Sequence, residues 1–228
     1  MPSLHDFLRL PVVLLHVESA HKFSADRLRD KLCSYPNDFA VEAERLTAVA
    51  FGPAVQFQGG DEDAYTEWAE RGHFVEHQKR LLECAESYLW GLGIAGVYHQ
   101  FERDVRKMVG AFTKPAIIES KLNKANFACL CSHLANLGYQ IEQSAGVDVA
   151  RLIANAIKHG EGDSCRLLSS KRPDLFVEQH RNSKDLKAKI PLNVEDLRVG
   201  VIEFDQAVSA ISTIWSELKA AVSTSLRP

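Results

Sequence analysis

Nine apolar residues near the C-terminus, Val194, Leu197, Val201, Phe204, Val208, Ile211, Trp215, Leu218 and Val222, follow one another at alternating spacings of three and four without exception. A helix turns such spacing into a single face. The pattern therefore predicts a long helix over 193–222, capped by Asn193 and packed lengthwise in a bundle or against a partner. A chain with such a seam must supply other helices to cover it.

Those helices are legible upstream. From Asp61 onward strand signals nearly vanish. The run 61–88 opens with acids suited to the positive end of a helix dipole, and Trp68, Phe74, Val75, Leu81, Leu82 and Ala85 recur on one side. A second helical run, 89–112, contains Gly91, Gly93, Ala95 and Gly96, small enough to permit close helix contact. The sequence leaves open whether a turn or a kink separates the two runs. Pro115 opens a further helix or helix pair that stops near Gly138. The first sixty residues are less regular: Pro11 interrupts an amphipathic start, Ser24 suits a helix cap, and 41–51 suits a short helix ending before Gly52-Pro53. A turn-rich stretch at 56–63 marks a boundary. The expected architecture is all-α: a bundle of long antiparallel helices over 61–228, with a less regular N-terminal segment, 1–60, packed on it.

Composition narrows the functional classes. No apolar run approaches the length of a membrane span, and no basic leader precedes the first apolar patch, so no membrane partner and a cytoplasmic address are expected. Cysteines 33, 84, 129, 131 and 165 are odd in number and form no Cys-x-x-Cys pair, which suits reduced, packed thiols. The net charge of −3 argues against a generic nucleic-acid binder. Its distribution is uneven: residues 1–102 carry 9 Lys/Arg against 16 Asp/Glu, while 103–190 carry 15 against 9. A polyanion docking on the chain would be expected in that basic third.

The basic third contains a patterned stretch, 147–176. At 100° per residue, Val149, Leu152, Ile153, Ala156 and Ile157 fall on one side of a helix, and Arg151, Asn155, Lys158 and His159 gather on the other. Arg151, Asn155 and His159 are each one turn apart, so they form a polar ridge. Gly160 suits the residue that ends the helix, and Asp163 or Ser164 suits the cap of the next one. A guanidinium, an amide and an imidazole in one row can hold and cleave a phosphodiester. The same row is also what the wet side of an ordinary amphipathic helix looks like.

The run Asn155-Ala156-Ile157-Lys158-His159-Gly160-Glu161-Gly162-Asp163-Ser164, followed by Arg172-Pro173-Asp174-Leu175-Phe176, resembles the HEPN-like helical proteins, a superfamily of bundles found in bacterial toxins and abortive-infection systems. Their signature is an arginine, followed by four to six residues that begin with a polar one, and then a histidine. Asn155 and His159 stand at the polar and histidine positions, but Ala154 stands where the arginine belongs. Arg151 lies one turn earlier, with seven residues between it and His159. The resemblance implies metal-independent RNA cleavage in host defence or a toxin–antitoxin pair, with no cofactor. It also implies a homodimer that brings two such motifs together, and an antitoxin or defence-system protein as a further partner. In that scheme His159 is the acid/base, Arg151 or Lys158 the cation that stabilises charge on phosphate oxygens, and Asn155 the positioning group. The missing arginine equally suits a noncatalytic module that binds RNA, a nucleotide or a partner protein.

Other constellations carry less. Glu70, His73 and His77 share one helical arc with metal-ligand spacing, but no second Glu-x-x-His follows on a later helix and Gly72 interrupts the row, so no metal is expected there. Ser164, Cys165 and Arg166 follow the ridge, where capping accounts for the serine and a helix-start thiol is an alternative reactive group. Glu102, Arg103 and Arg106 suit charge pairs along a bundle helix. Arg181, Lys184, Lys187 and Lys189 lie on a polar segment close in sequence to the ridge, as a soluble loop or as phosphate contacts.

Overall fold

The computed structural model describes residues 4–34, 39–52, 62–112, 127–136, 144–160, 162–177 and 196–225. These form seven α-helices: α1 (Leu4–Cys33), α2 (Phe39–Phe51), α3 (Glu62–Phe112), α4 (Phe127–Asn136), α5 (Ala145–His159), α6 (Asp163–Lys171) and α7 (Val201–Ser225), with a 3-10 turn at Pro173–Leu175. The protein is an all-α bundle. None of the described helices is long and apolar enough to cross a membrane.

Helix α3 is the axis. At 51 residues it is one continuous helix of about 77 Å at 1.5 Å per residue, with neither a turn nor a break at Gly72, whose surroundings are open. Its second half is wrapped by α1, α5 and α7. Helix α1 runs antiparallel to it: His21 bonds to the Val97 carbonyl, and further along α1 Leu32 reaches Gly93. Helix α5 is also antiparallel, with Ile157 against Gly91 and Arg151 near Tyr98. Helix α7 runs parallel to α3, since Trp90 meets Phe204 at 5.6 Å between ring centroids and Phe101 meets Trp215 at 5.4 Å, edge to face. Of the small residues on α3, Gly91 and Gly93 make the close contacts that the sequence suggests, whereas Gly96 faces open space.

In α7 the seam residues Val201 and Val208 are half-buried, and Phe204, Ile211, Trp215 and Leu218 are each at most 1% exposed, as the spacing requires. Each such side chain contributes roughly 1.5–3 kcal/mol by leaving water. The helix itself starts later than 193. Leu197 is extended, bridged antiparallel to Phe176 by Val177 N–H donating to the Asp196 carbonyl (3.0 Å) and Arg198 N–H donating to Leu175 (2.6 Å). Buried Ser87 on α3 fixes that segment. Its hydroxyl donates to the Leu197 carbonyl at 2.8 Å and accepts from Val199 N–H at 2.9 Å. Glu203 then accepts from Gly200 N–H at 2.9 Å, half of a capping box that starts α7. Asn193 and Val194 lie outside the described residues.

The N-terminal segment is helical too. α1 passes through Pro11 despite the lost hydrogen bond, and Ser24 is inside it rather than at a cap. Its C-terminal half docks on α3 and α7 through Val17, His21, Ala25, Leu28 and Leu32, and is tied to α7 by Glu18–Lys219 and Arg29–Asp205 (2.7 Å). This packing outweighs the local cost of a proline. α2 folds as expected before Gly52 and packs on the N-terminal half of α3, with Phe51 edge-on to Phe74. Of the expected boundary at 56–63, Glu62 and Asp63 already belong to α3, and residues 56–61, like Pro115, lie outside the described residues.

Candidate functional site: the solvent face of α5

α5 is held at both ends and along one side. Ser144 caps it, accepting from Val147 N–H at 3.1 Å. Gly160 ends it at φ +70°, a conformation that side-chain-bearing residues rarely adopt, with its N–H donating to Ala156. Leu152, Ile153, Ala156 and Ile157 are buried against the bundle and Val149 is half-buried, as the periodicity predicts. Helix α6 restarts the chain at Asp163, but Gly162 occupies the cap and no side chain caps it, so neither Asp163 nor Ser164 does so. Cys165 is buried and its thiol donates to the Gly160 carbonyl at 2.9 Å, which tightens the α5–α6 elbow and removes the reading of a reactive thiol. All five cysteines are unbridged.

The four ridge residues divide into two kinds. Arg151 is half-buried and engaged, donating to Asp148 through Nε (3.1 Å) and Nη2 (2.7 Å). Lys171 of α6 donates to the other Asp148 oxygen, so one carboxylate ties two helices together. Burial alone would raise the Asp148 pKa, but the hydrogen bonds from Lys171 and Arg151 outweigh it and hold it below the usual value. Asn155 is half-buried, Lys158 and His159 are exposed, and none of the three has a hydrogen-bond or ion-pair partner among the described residues. They present an amide, an ammonium and an imidazole to solvent within two turns.

Ala154, the position of the signature arginine, is 0% exposed in the core. No guanidinium fits there without displacing packed atoms. On the α3 side of Arg151, the buried Tyr98 hydroxyl has no hydrogen-bond partner among the described residues, and its pKa is driven up by burial, then by the nearby Glu102 carboxylate. Glu102 is paired with Arg106 at 3.1 Å, while Arg103 donates to Gln100.

One relation was not foreseen. Both Ile157 of α5 and Val199, just after the Phe176–Leu197 bridge, abut Gly91 of α3. The bridge between Phe176 and Leu197 joins the residues on either side of the stretch that holds Arg181, Lys184, Lys187 and Lys189. Those four residues lie outside the described ones.

Glu70, His73 and His77 are exposed on the N-terminal half of α3, and no group of three or more His, Cys, Asp or Glu among the described residues has the geometry to hold a metal ion. Comparison of the chain with family models, curated proteins and solved structures finds no match.

Proposed function

We propose that this is a HEPN-like protein whose α5 face receives RNA and cleaves it without a metal ion. His159 serves as the acid/base, Lys158 as the cation facing the phosphate and Asn155 as the positioning amide. The observation that carries this reading is that Lys158 and His159 are exposed and Asn155 half-buried at the end of a packed helix, with no partner for any of the three among the described residues. An imidazole titrates near neutral pH, so it can take the 2′-hydroxyl proton or protonate the leaving 5′-oxygen. An ammonium beside it stabilises charge building on the phosphorus oxygens. The 2′-oxygen bonds to phosphorus as the bond to the 5′-oxygen breaks, giving a cyclic 2′,3′-phosphate and a free 5′-hydroxyl, with solvent water making the proton transfer that His159 does not.

A second reading, RNA binding without cleavage, is favoured by two observations. Ala154 is buried where the signature arginine would stand, and Asp148 already neutralises Arg151. Purified protein incubated with end-labelled RNA in chelator separates the two. Cleavage that falls by about two orders of magnitude or more in His159→Ala supports the enzyme. Binding without cleavage, weakened by Lys158→Glu in a salt-dependent way, supports the module. Normal binding and cleavage in both variants removes both readings.

A further inference from the structure

Three sides of α3 are covered between Leu81 and Gly96, by α1, α5 and α7. The side opposite Trp90, Ile94 and Phe101 is open. Leu81, Ala85, Tyr88, Leu92 and Gly96 fall there within an arc of about 80°, and all five are exposed. The three large ones are 51%, 43% and 45% exposed. Their spacings, four, three, four and four, make a coiled-coil-like seam that none of the helices among the described residues buries.

We propose that this seam docks a second copy of the chain, with the two α3 helices antiparallel about a dyad between Tyr88 and Leu89. The order of side chains suits its own reverse. Leu81 then meets the partner's Gly96, and Ala85 meets the partner's Leu92, so each large residue faces a small one. Tyr88 lies beside the dyad. Alternation of large and small across facing positions fills the space between two helices, and a surface complementary to itself is what a two-fold interface requires. Charge selects the same direction. The half of α3 from Glu62 to Ser87 holds seven Asp/Glu against three Lys/Arg, whereas the half from Tyr88 to Phe112 holds two against three. An antiparallel pair sets the acidic half across from the basic one, and a parallel pair would set acid against acid. This dimer uses α3 and leaves the α5 face open, unlike the one implied by the HEPN resemblance, in which the motif helices meet.

Sedimentation equilibrium of the full chain at micromolar concentration tests it, with circular dichroism as the check on folding. The intact protein is expected to be a dimer. Leu92→Glu places a charge in the seam at a site exposed in the single chain, so the variant should keep its helical spectrum while its dimer dissociation constant rises by about 30-fold or more, the scale of losing an interface hot spot. Gly96→Leu should weaken the dimer by overfilling its layer, and Leu81→Ala added to it should restore association. A monomeric intact protein would overturn the proposal. So would a dimer that survives Leu92→Glu, or one dissociated by Lys158→Glu instead.

Discussion

A single methyl group at Gly91 tests how the α5 face is held. A Cβ built at Gly91 lies 2.4 Å from Ile157 Cδ1 and 2.7 Å from Ile157 Cγ1. Carbon atoms rest about 3.5–4.0 Å apart, so Ile157 must retreat by about 1 Å. It has little freedom to do so, because an isoleucine in a helix has one strongly preferred χ1 and Ile157 is buried. Overpacking of this kind costs about 1–3 kcal/mol. Alanine recovers about 1 kcal/mol over glycine in a helix interior. Gly91→Ala should therefore destabilise the protein by up to about 2 kcal/mol. Gly72 lies on the same helix with nothing near its Cβ position, and there the same substitution should stabilise by about 1 kcal/mol. Urea unfolding followed by circular dichroism measures both. Ile157→Val removes the closer of the two clashing atoms, so in a double-mutant cycle with Gly91→Ala it should show favourable coupling. If Gly91→Ala stabilised as much as Gly72→Ala, or the cycle showed no coupling, the close α3–α5 approach would be refuted.

His21 is buried and its pKa is lowered, mainly by burial, against an opposing bond to the Val97 carbonyl and the field of Asp104. The unfolded chain then binds the proton first, so this contribution to stability is intact above about pH 6.5 and falls as pH drops below it towards the folded value. Urea midpoints at about pH 8 and about pH 5 should differ more for the natural protein than for His21→Gln. Ser87→Ala leaves the Leu197 carbonyl and the Val199 N–H without their shared partner, and thermal unfolding should report a loss of about 2–3 kcal/mol. Ala154→Arg, which writes the signature arginine into the chain, buries a charge among packed carbons and should fail to fold, as circular dichroism would show. A folded Ala154→Arg protein would contradict the core position of that residue.

How far the sequence foretells this molecule depends on which force decides each feature. Burial writes a period, so the α7 seam and the two faces of α5 were legible. The start of α7 was not, because Leu197 is buried in an extended segment and continues the 3-4 spacing by coincidence of position. Spacing cannot distinguish a buried extended residue from a buried helical one. Pro11 misled for the opposite reason, since a local penalty was overridden by packing along the rest of α1. At the candidate site, Arg151 and Asp148 stand three residues apart, and their pairing was available to sequence reasoning as a helical neighbour contact. The contribution of Lys171 was not, because it comes from another helix.

The division within the ridge determines what substitutions there can reveal. Arg151 belongs to the bracket Arg151–Asp148–Lys171 that joins α5 to α6, so changing it leaves a partly buried carboxylate with one cation fewer and alters the scaffold along with any ligand contact. Asn155, Lys158 and His159 have no partner among the described residues, and Lys158 and His159 are exposed. Exposed positions of that kind tolerate substitution within about 0.5 kcal/mol. Ala154 is the reverse case, committed to the core and unable to host the cation that the resemblance asks for. Any positive charge offered to a phosphate on this face must then come from Lys158 or from outside α5. Arg166 of α6, seven residues beyond His159 and paired with Asp163 at 3.1 Å, is the nearest such source along the chain.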